Sequence, residues 1–200
     1  LSNLAEVAKV APGVARAIVQ ELAEQRRYLK LIASENYSSL PAQLAMGNLL
    51  TDKYAEGFAG QRFYEGCDNV DAVEMFACEQ ARELFGAEHA YVQPHSGADA
   101  NMIAYWAILT ARVETPALAQ LNTKDPSKLS QADWDGIRQA LGNQRLLGMD
   151  YYSGGHLTHG YRRNLSAKMF DAYSYAVNRE TGLLDYDAIE AMALEIKPLI

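Results

Sequence analysis

A serine followed by glycine, at the point where a strand hands over to a helix, offers a place for a phosphate. Ser96-Gly97 stands at such a point. A helix start has unpaired backbone N–H groups and the positive end of the dipole; glycine lets the backbone approach an anion, and a serine hydroxyl adds a donor. The same pair also reads as a serine N-cap with no ligand. A second segment, Gly154-Gly155-His156-Leu157-Thr158-His159-Gly160, follows an expected strand, and ligands of α/β domains gather at the carboxyl ends of strands. Two histidines do not fill a metal site, and no cysteine or carboxylate cluster has metal spacing, so no metal is expected. An imidazole stacked on a planar cofactor and a structural histidine bonded within a glycine turn both remain open. Tyr54, Glu56, Arg62 and Tyr64 form a third cluster. A carboxylate beside tyrosines can move protons or orient a substrate; the bland alternative is a polar loop facing solvent or another subunit.

The elements that must position these residues can be read from the periodicity. Val14, Ile18, Leu22 and Leu29 predict an amphipathic helix from Pro12 to Leu31 with one buried stripe. Residues 34–66 carry little periodicity and read as a long functional loop. A helix is expected from about Val70 to Phe85, with Asp68 and Asp71 at its start and Gly86 to end it. Ala90-Tyr91-Val92 reads as a short strand leading to Ser96-Gly97. The helix that begins there, through Met102, Ile103, Trp106 and Ile108, is apolar nearly all round and is expected to be buried. Residues 111–145 read as a surface insertion with one small helix, capped by Ser130 and stopped at Gly142. Strands are expected at Leu146–Met149 and near Met169–Val177. A last helix carries Ile189, Met192 and Ile196 and ends at Pro198. Strands alternating with helices indicate an α/β domain around a mainly parallel sheet. Both chain ends look cut, so a fragment of a longer protein is expected.

Apolar residues make up 49% and charged residues 22%, the balance of a globular protein, and the formal net charge of −7 argues against nucleic acid or an anionic membrane as partner. No apolar run reaches the length of a membrane span. Cys67 and Cys78 lie in no paired motif and lack an activating partner, which suits inert thiols in a reducing cytosol, so a cytoplasmic location is expected.

Four segments in order resemble the serine hydroxymethyltransferase family. These are Leu31-Ile32-Ala33-Ser34-Glu35-Asn36-Tyr37; Lys53-Tyr54-Ala55-Glu56-Gly57 with Arg62-Phe63-Tyr64-Glu65-Gly66-Cys67; Ala81–Ala87 leading into Val92-Gln93-Pro94-His95-Ser96-Gly97; and Gly154–Gly160. The resemblance implies the N-terminal portion of a fold-type I pyridoxal-phosphate enzyme: residues 1–66 as an N-terminal helix and extended dimer segment, and 67–200 as the first part of the cofactor-binding large domain. It implies reversible transfer of the serine hydroxymethyl group to tetrahydrofolate, giving glycine and methylenetetrahydrofolate. It also implies roles. Ser96, Gly97 and Ala98 would cradle the cofactor phosphate, and His156 would stack on its ring. Ser34 would contact the amino acid. Tyr54, Glu56 and Tyr64 would reach into a neighbouring subunit's active site, Tyr54 toward phosphate and the other two toward substrate and folate, so a homodimer with shared sites is implied. Glu56, Tyr64 and His156 would be the catalytic group, and Tyr151, Gly155 and Leu157 would line the folate side.

The chain departs from the family pattern at several positions. Ala98 stands where serine is common, Tyr151 and Ser153 replace leucine and histidine, and residues 111–145 replace a short connection. No lysine here follows a threonine-rich stretch, where the family carries its Schiff-base lysine, so these 200 residues alone are expected to be inactive. A related aldolase or racemase without folate, and a non-catalytic dimerisation or phosphate-binding chain, are the alternative readings.

Overall fold

In a computed structural model of the chain, residues 2–200 are described. The chain divides into two units, one up to Ala72 and one from Val73.

In the first unit the helix expected from Pro12 to Leu31 is α2 (Pro12–Arg27), which ends four residues earlier, and a further helix that was not expected, α1 (Ser2–Val10), precedes it across a break at Ala11. Pro12 explains the break: it has no N–H to donate and suits a first helical position. Ala15 is the residue of α2 that is buried; Val14, Ile18 and Leu22, expected as a buried stripe, are each about half exposed. A stripe of this kind is buried only when something packs over its whole width, and these three side chains stay half in solvent. Helix α3 (Leu40–Met46) follows, then a two-residue antiparallel hairpin, β1 (Gly57–Phe58) with β2 (Gln61–Arg62). Helix α4 (Asp68–Phe85) begins with Asp68 and Asp71 in its first turn, as expected from their carboxylates.

In the second unit, residues 89–94 are not a strand. The apolar run is there, but a strand needs a ladder partner, and sequence periodicity does not supply one. Helix α5 (Gly97–Leu109) starts at the expected serine: Ser96 Oγ accepts from Asp99 N at 3.1 Å. It does not stop near Ile108. A π-helical turn, Thr110–Glu114, carries it into α6 (Thr115–Gln120). Pro116 lacks the N–H an α-helix needs there, and the wider turn just before it, closed by Thr115 N on Thr110 O, accommodates that loss. Helix α7 (Gln131–Gly142) is capped by Ser130 as expected, its Oγ accepting from Asp133 N at 3.2 Å.

The sheet of this unit is small. β3 (Arg145–Met149) and β4 (Asp171–Tyr175) pair in parallel, Arg145 opposite Asp171 and Met149 opposite Tyr175. On the other edge of β3, Leu199 N donates to Arg145 O and Leu147 N to Ile200 O, at 2.8 and 2.9 Å. The extensive parallel sheet expected from the sequence is thus one parallel pair with a short third stretch beside it. Helix α8 (Ser166–Met169) precedes β4, and α9 (Tyr186–Ile196) is capped by Asp185, whose carboxylate accepts from Ala188 N at 3.0 Å.

Leu109, Leu146 and Phe170 form the core, and Tyr105, Val113, Leu141 and Ile200 pack on it. Two corrections follow. Helix α5 buries its last residue, Leu109, at 1% exposure, while Ile103 and Trp106 face solvent. The stretch 111–145 is not a purely surface insertion: Leu118 and Ile137 are buried, and Val113 and Leu141 lie against the core. Its polar composition conceals these few inward-facing apolar residues of the π-helical turn, α6 and α7.

Candidate active site

The loop after β3 is built by short backbone bonds. Asp150 N donates to Tyr175 O at 2.8 Å, and Asp150 O accepts from Gly155 N at 3.0 Å. Two single 3-10 turns, Tyr151–Ser153 and Leu157–His159, make up most of the loop. Gly160, at φ 99°, ends the second turn, and any Cβ there would lie 2.8 Å from Ala172 Cβ. Glycine is needed on both counts. Ser153 Oγ accepts from Val177 N at 3.1 Å, which ties the loop to the segment after β4.

Thr158, 4% exposed, joins this loop to α5. Asn101 Nδ2 donates to Thr158 Oγ1 at 2.7 Å and Tyr105 Oη to Thr158 O at 2.5 Å. Thr158 Oγ1 also lies 2.8 Å from Nδ1 of His156. The start of α5 and the His156 loop are therefore parts of one assembly. Along the helix, Asn101 is about 6 Å beyond Gly97 at 1.5 Å per residue.

At the helix start, Ser96 is occupied with the helix itself: its hydroxyl donates to Asp99 Oδ2 at 2.9 Å and accepts from Asp99 N. The donors left for an anion are the N–H groups of Gly97 and Ala98, which have no acceptor within the helix. No heavy atom lies within 4 Å of a Cβ placed on Gly97, so the space beside it is open. The Asp99 carboxylate adds a negative charge at the same turn.

The other expected residues of this unit sit in the same loop. His156 and Leu157 are exposed, and Tyr151 packs on Tyr152 and Tyr161 with ring centroids 5.4 and 5.2 Å away. Gly155 is buried, and a Cβ there would collide with the Met149 carbonyl, so its lack of a side chain serves the close packing of loop on strand. Among the described residues no group of histidine, cysteine and carboxylate side chains could hold a metal ion.

In the first unit, Tyr64 Oη donates to Glu56 Oε2 at 3.4 Å, and the rings of Tyr54 and Tyr64 meet edge-on with centroids 6.1 Å apart. Tyr54 is 83% exposed. Arg62 fixes the backbone beneath them. Its Nη1 donates to Ala55 O and Gly57 O at 2.8 and 3.0 Å, and Phe63 N donates to Glu56 O at 3.0 Å, so three successive carbonyls are held. Arg62 Nε bonds Asp71 Oδ1 at 2.7 Å, and Gly60 N bonds the other carboxylate oxygen at 2.8 Å. The Gly60 N–H first and the Arg62 guanidinium second hold the Asp71 carboxyl below its ordinary value. Ser34 stands apart from this cluster in sequence, exposed in a turn closed by Glu35 N on Ile32 O.

Asn101, Tyr105 and Thr158 were not singled out by sequence reasoning. Their signal was available but weak: Thr158 lies between two histidines, and Asn101 and Tyr105 share one face of a helix, four residues apart.

Residues 7–125 and 116–200 match the family model for serine hydroxymethyltransferase. The chain is 61% identical over 200 residues to the serine hydroxymethyltransferase of Treponema pallidum (strain Nichols), covering all of this chain and 35% of that protein. It is 58% identical over 199 residues to that of Salinispora tropica, covering 42% of it, and 60% identical over 194 residues to that of Mycolicibacterium smegmatis, covering 40%. It thus spans well under half the length of these relatives. On a family match that runs through nearly the whole sequence, the chain belongs to the serine hydroxymethyltransferase family.

Proposed function

We propose that the protein carrying this segment transfers the serine hydroxymethyl group to tetrahydrofolate and back, as a pyridoxal-phosphate enzyme working as a cytoplasmic homodimer. The observation that carries this reading is the joining of an open helix start and an exposed histidine loop through Asn101 and Thr158, in a chain of this family. Pyridoxal phosphate, when bound, supplies the electron sink for breaking a bond at the amino-acid α-carbon. The residues present fit it: Gly97 and Ala98 offer backbone donors to a phosphate beside open space, and His156 offers an exposed flat ring.

In this reading Ser96 orients the helix turn more than it binds, since its hydroxyl already caps α5. Ser34 contacts the amino acid. Glu56, with Tyr64 bonded to its carboxylate, moves a proton at the substrate in a neighbouring subunit, and Tyr54 reaches that subunit's phosphate. Tyr151, Gly155 and Leu157 shape the folate side. Residues 1–66 act as the dimer arm, and 67–200 open the cofactor domain, which takes its fold-type I sheet from the complete protein.

The test is serine cleavage by the full-length protein with and without tetrahydrofolate. Cleavage that is accelerated by tetrahydrofolate supports the proposal. Cleavage indifferent to it would mean a folate-independent aldolase, and none at all a non-catalytic chain. The 200 residues alone are expected to give no turnover.

A further inference from the structure

The bonds around Thr158 have a direction. Thr158 N lies 3.2 Å from His156 Nδ1, and a backbone N–H can only donate. Nδ1 is therefore the acceptor and carries no hydrogen. The Thr158 hydroxyl, 2.8 Å from the same nitrogen, must then donate to it and find its own donor elsewhere, which Asn101 Nδ2 provides at 2.7 Å. Hydrogens thus point one way, from the Asn101 amide to the Thr158 hydroxyl to His156 Nδ1. His159 is used in the same manner, its Nδ1 accepting from His156 N at 3.2 Å.

From this geometry we infer that Asn101 and Thr158 are positioning residues that hold His156 as the neutral tautomer protonated on Nε2, its ring tethered to α5. Tyr105 steadies the same peptide by donating to Thr158 O. Burial of Thr158 keeps water from competing for these bonds. The consequence is a pre-organised ring: His156 stays exposed with the His159 ring inclined against it, centroids 5.9 Å apart, Nε2–H remains a donor on the opposite side, and little side-chain freedom is left for a ligand to remove. That consequence rests on the proposed role of His156 against the cofactor ring; the tautomer itself does not.

The experiment is a long-range proton–nitrogen correlation of histidine rings in the full-length protein, with His156→Gln identifying the signal. The expected result is an unprotonated Nδ1 and a protonated Nε2 for His156, retained in Thr158→Ser. Thr158→Val removes the hydroxyl, and Asn101→Asp draws its hydrogen the other way, so both should shift His156 Nδ1. A proton on Nδ1, nitrogens averaged between tautomers, or an Nδ1 unmoved by both variants would overturn the inference. Equilibrium dialysis with pyridoxal phosphate gives the second readout: Thr158→Val should bind roughly three- to tenfold more weakly, with Thr158→Ser close to wild type. Unchanged binding in Thr158→Val would overturn the positioning role. A wild-type protein that does not bind pyridoxal phosphate would sink the functional reading instead, and the nitrogen shifts would still decide the tautomer.

Discussion

Asp99 is where local stability and ligand binding pull in opposite directions. Its carboxylate favours the positive end of α5 and accepts from the Ser96 hydroxyl, yet it places a negative charge in the turn proposed to hold a phosphate. Asp99→Asn in the full-length protein should therefore tighten pyridoxal phosphate binding by roughly two- to fivefold, the equivalent of about 0.3–1 kcal/mol for one charge at a helix end. Equilibrium dialysis would show it, and weaker binding by the variant would argue that the phosphate lies elsewhere. The capping role of Ser96 was legible in the sequence because a cap is a local event, complete within four residues. The pairing of Thr158 with Asn101 was not, because it joins positions 57 residues apart that only the fold brings together.

Arg62 and β3 show how elements set the geometry of the side chains they carry. The Arg62 side chain, 5% exposed, reaches two carbonyls and Asp71 at once through a planar guanidinium, which lysine cannot reproduce. Arg62→Lys should loosen the Glu56 backbone, seen as faster amide hydrogen exchange at Phe63; exchange at the wild-type rate would contradict the clamp. The pH dependence has a definite sign. The folded-state Asp71 carboxyl sits below its ordinary value of 3.8, so its stabilisation is fully present above that value and is lost as pH falls through the lower folded one. Protection of the Gly60 amide should stay constant from pH 7 to about 5 and fall only in the acid range. On β3, a Cβ at Gly148 would come within 2.5 Å of the His159 carbonyl oxygen. Gly148→Ala should destabilise the protein by about 1–3 kcal/mol in chemical denaturation, because the strand and the His156 loop cannot both keep their places. Helices α2, α4, α5, α7 and α9 could be read from caps and periodicity, whereas the strand expected at Ala90–Val92 failed because pairing is non-local.

Across the whole molecule, apolar side chains are more exposed than their pattern led one to expect. Val14, Ile18 and Leu22 on α2, and Trp106 on α5, all face solvent. Hydrophobic periodicity reports that a face is meant to be covered, and says nothing of which chain covers it. The chain spans 35–42% of the length of its relatives from Treponema pallidum, Salinispora tropica and Mycolicibacterium smegmatis. On its own it should self-associate in light scattering and bind a hydrophobic dye more strongly than the full-length protein. A monodisperse monomer with weak dye binding would contradict that. The family, by contrast, was legible from short motifs alone, since they record chemistry whether or not the elements around them are complete.

The most direct test of the proposed site is equilibrium dialysis of pyridoxal phosphate against the full-length protein and its His156→Ala variant. The site described above predicts one cofactor per chain and binding weakened roughly tenfold when the ring is removed. Equal affinity in the two proteins would contradict it, and would place the cofactor away from the loop that Asn101 and Thr158 hold.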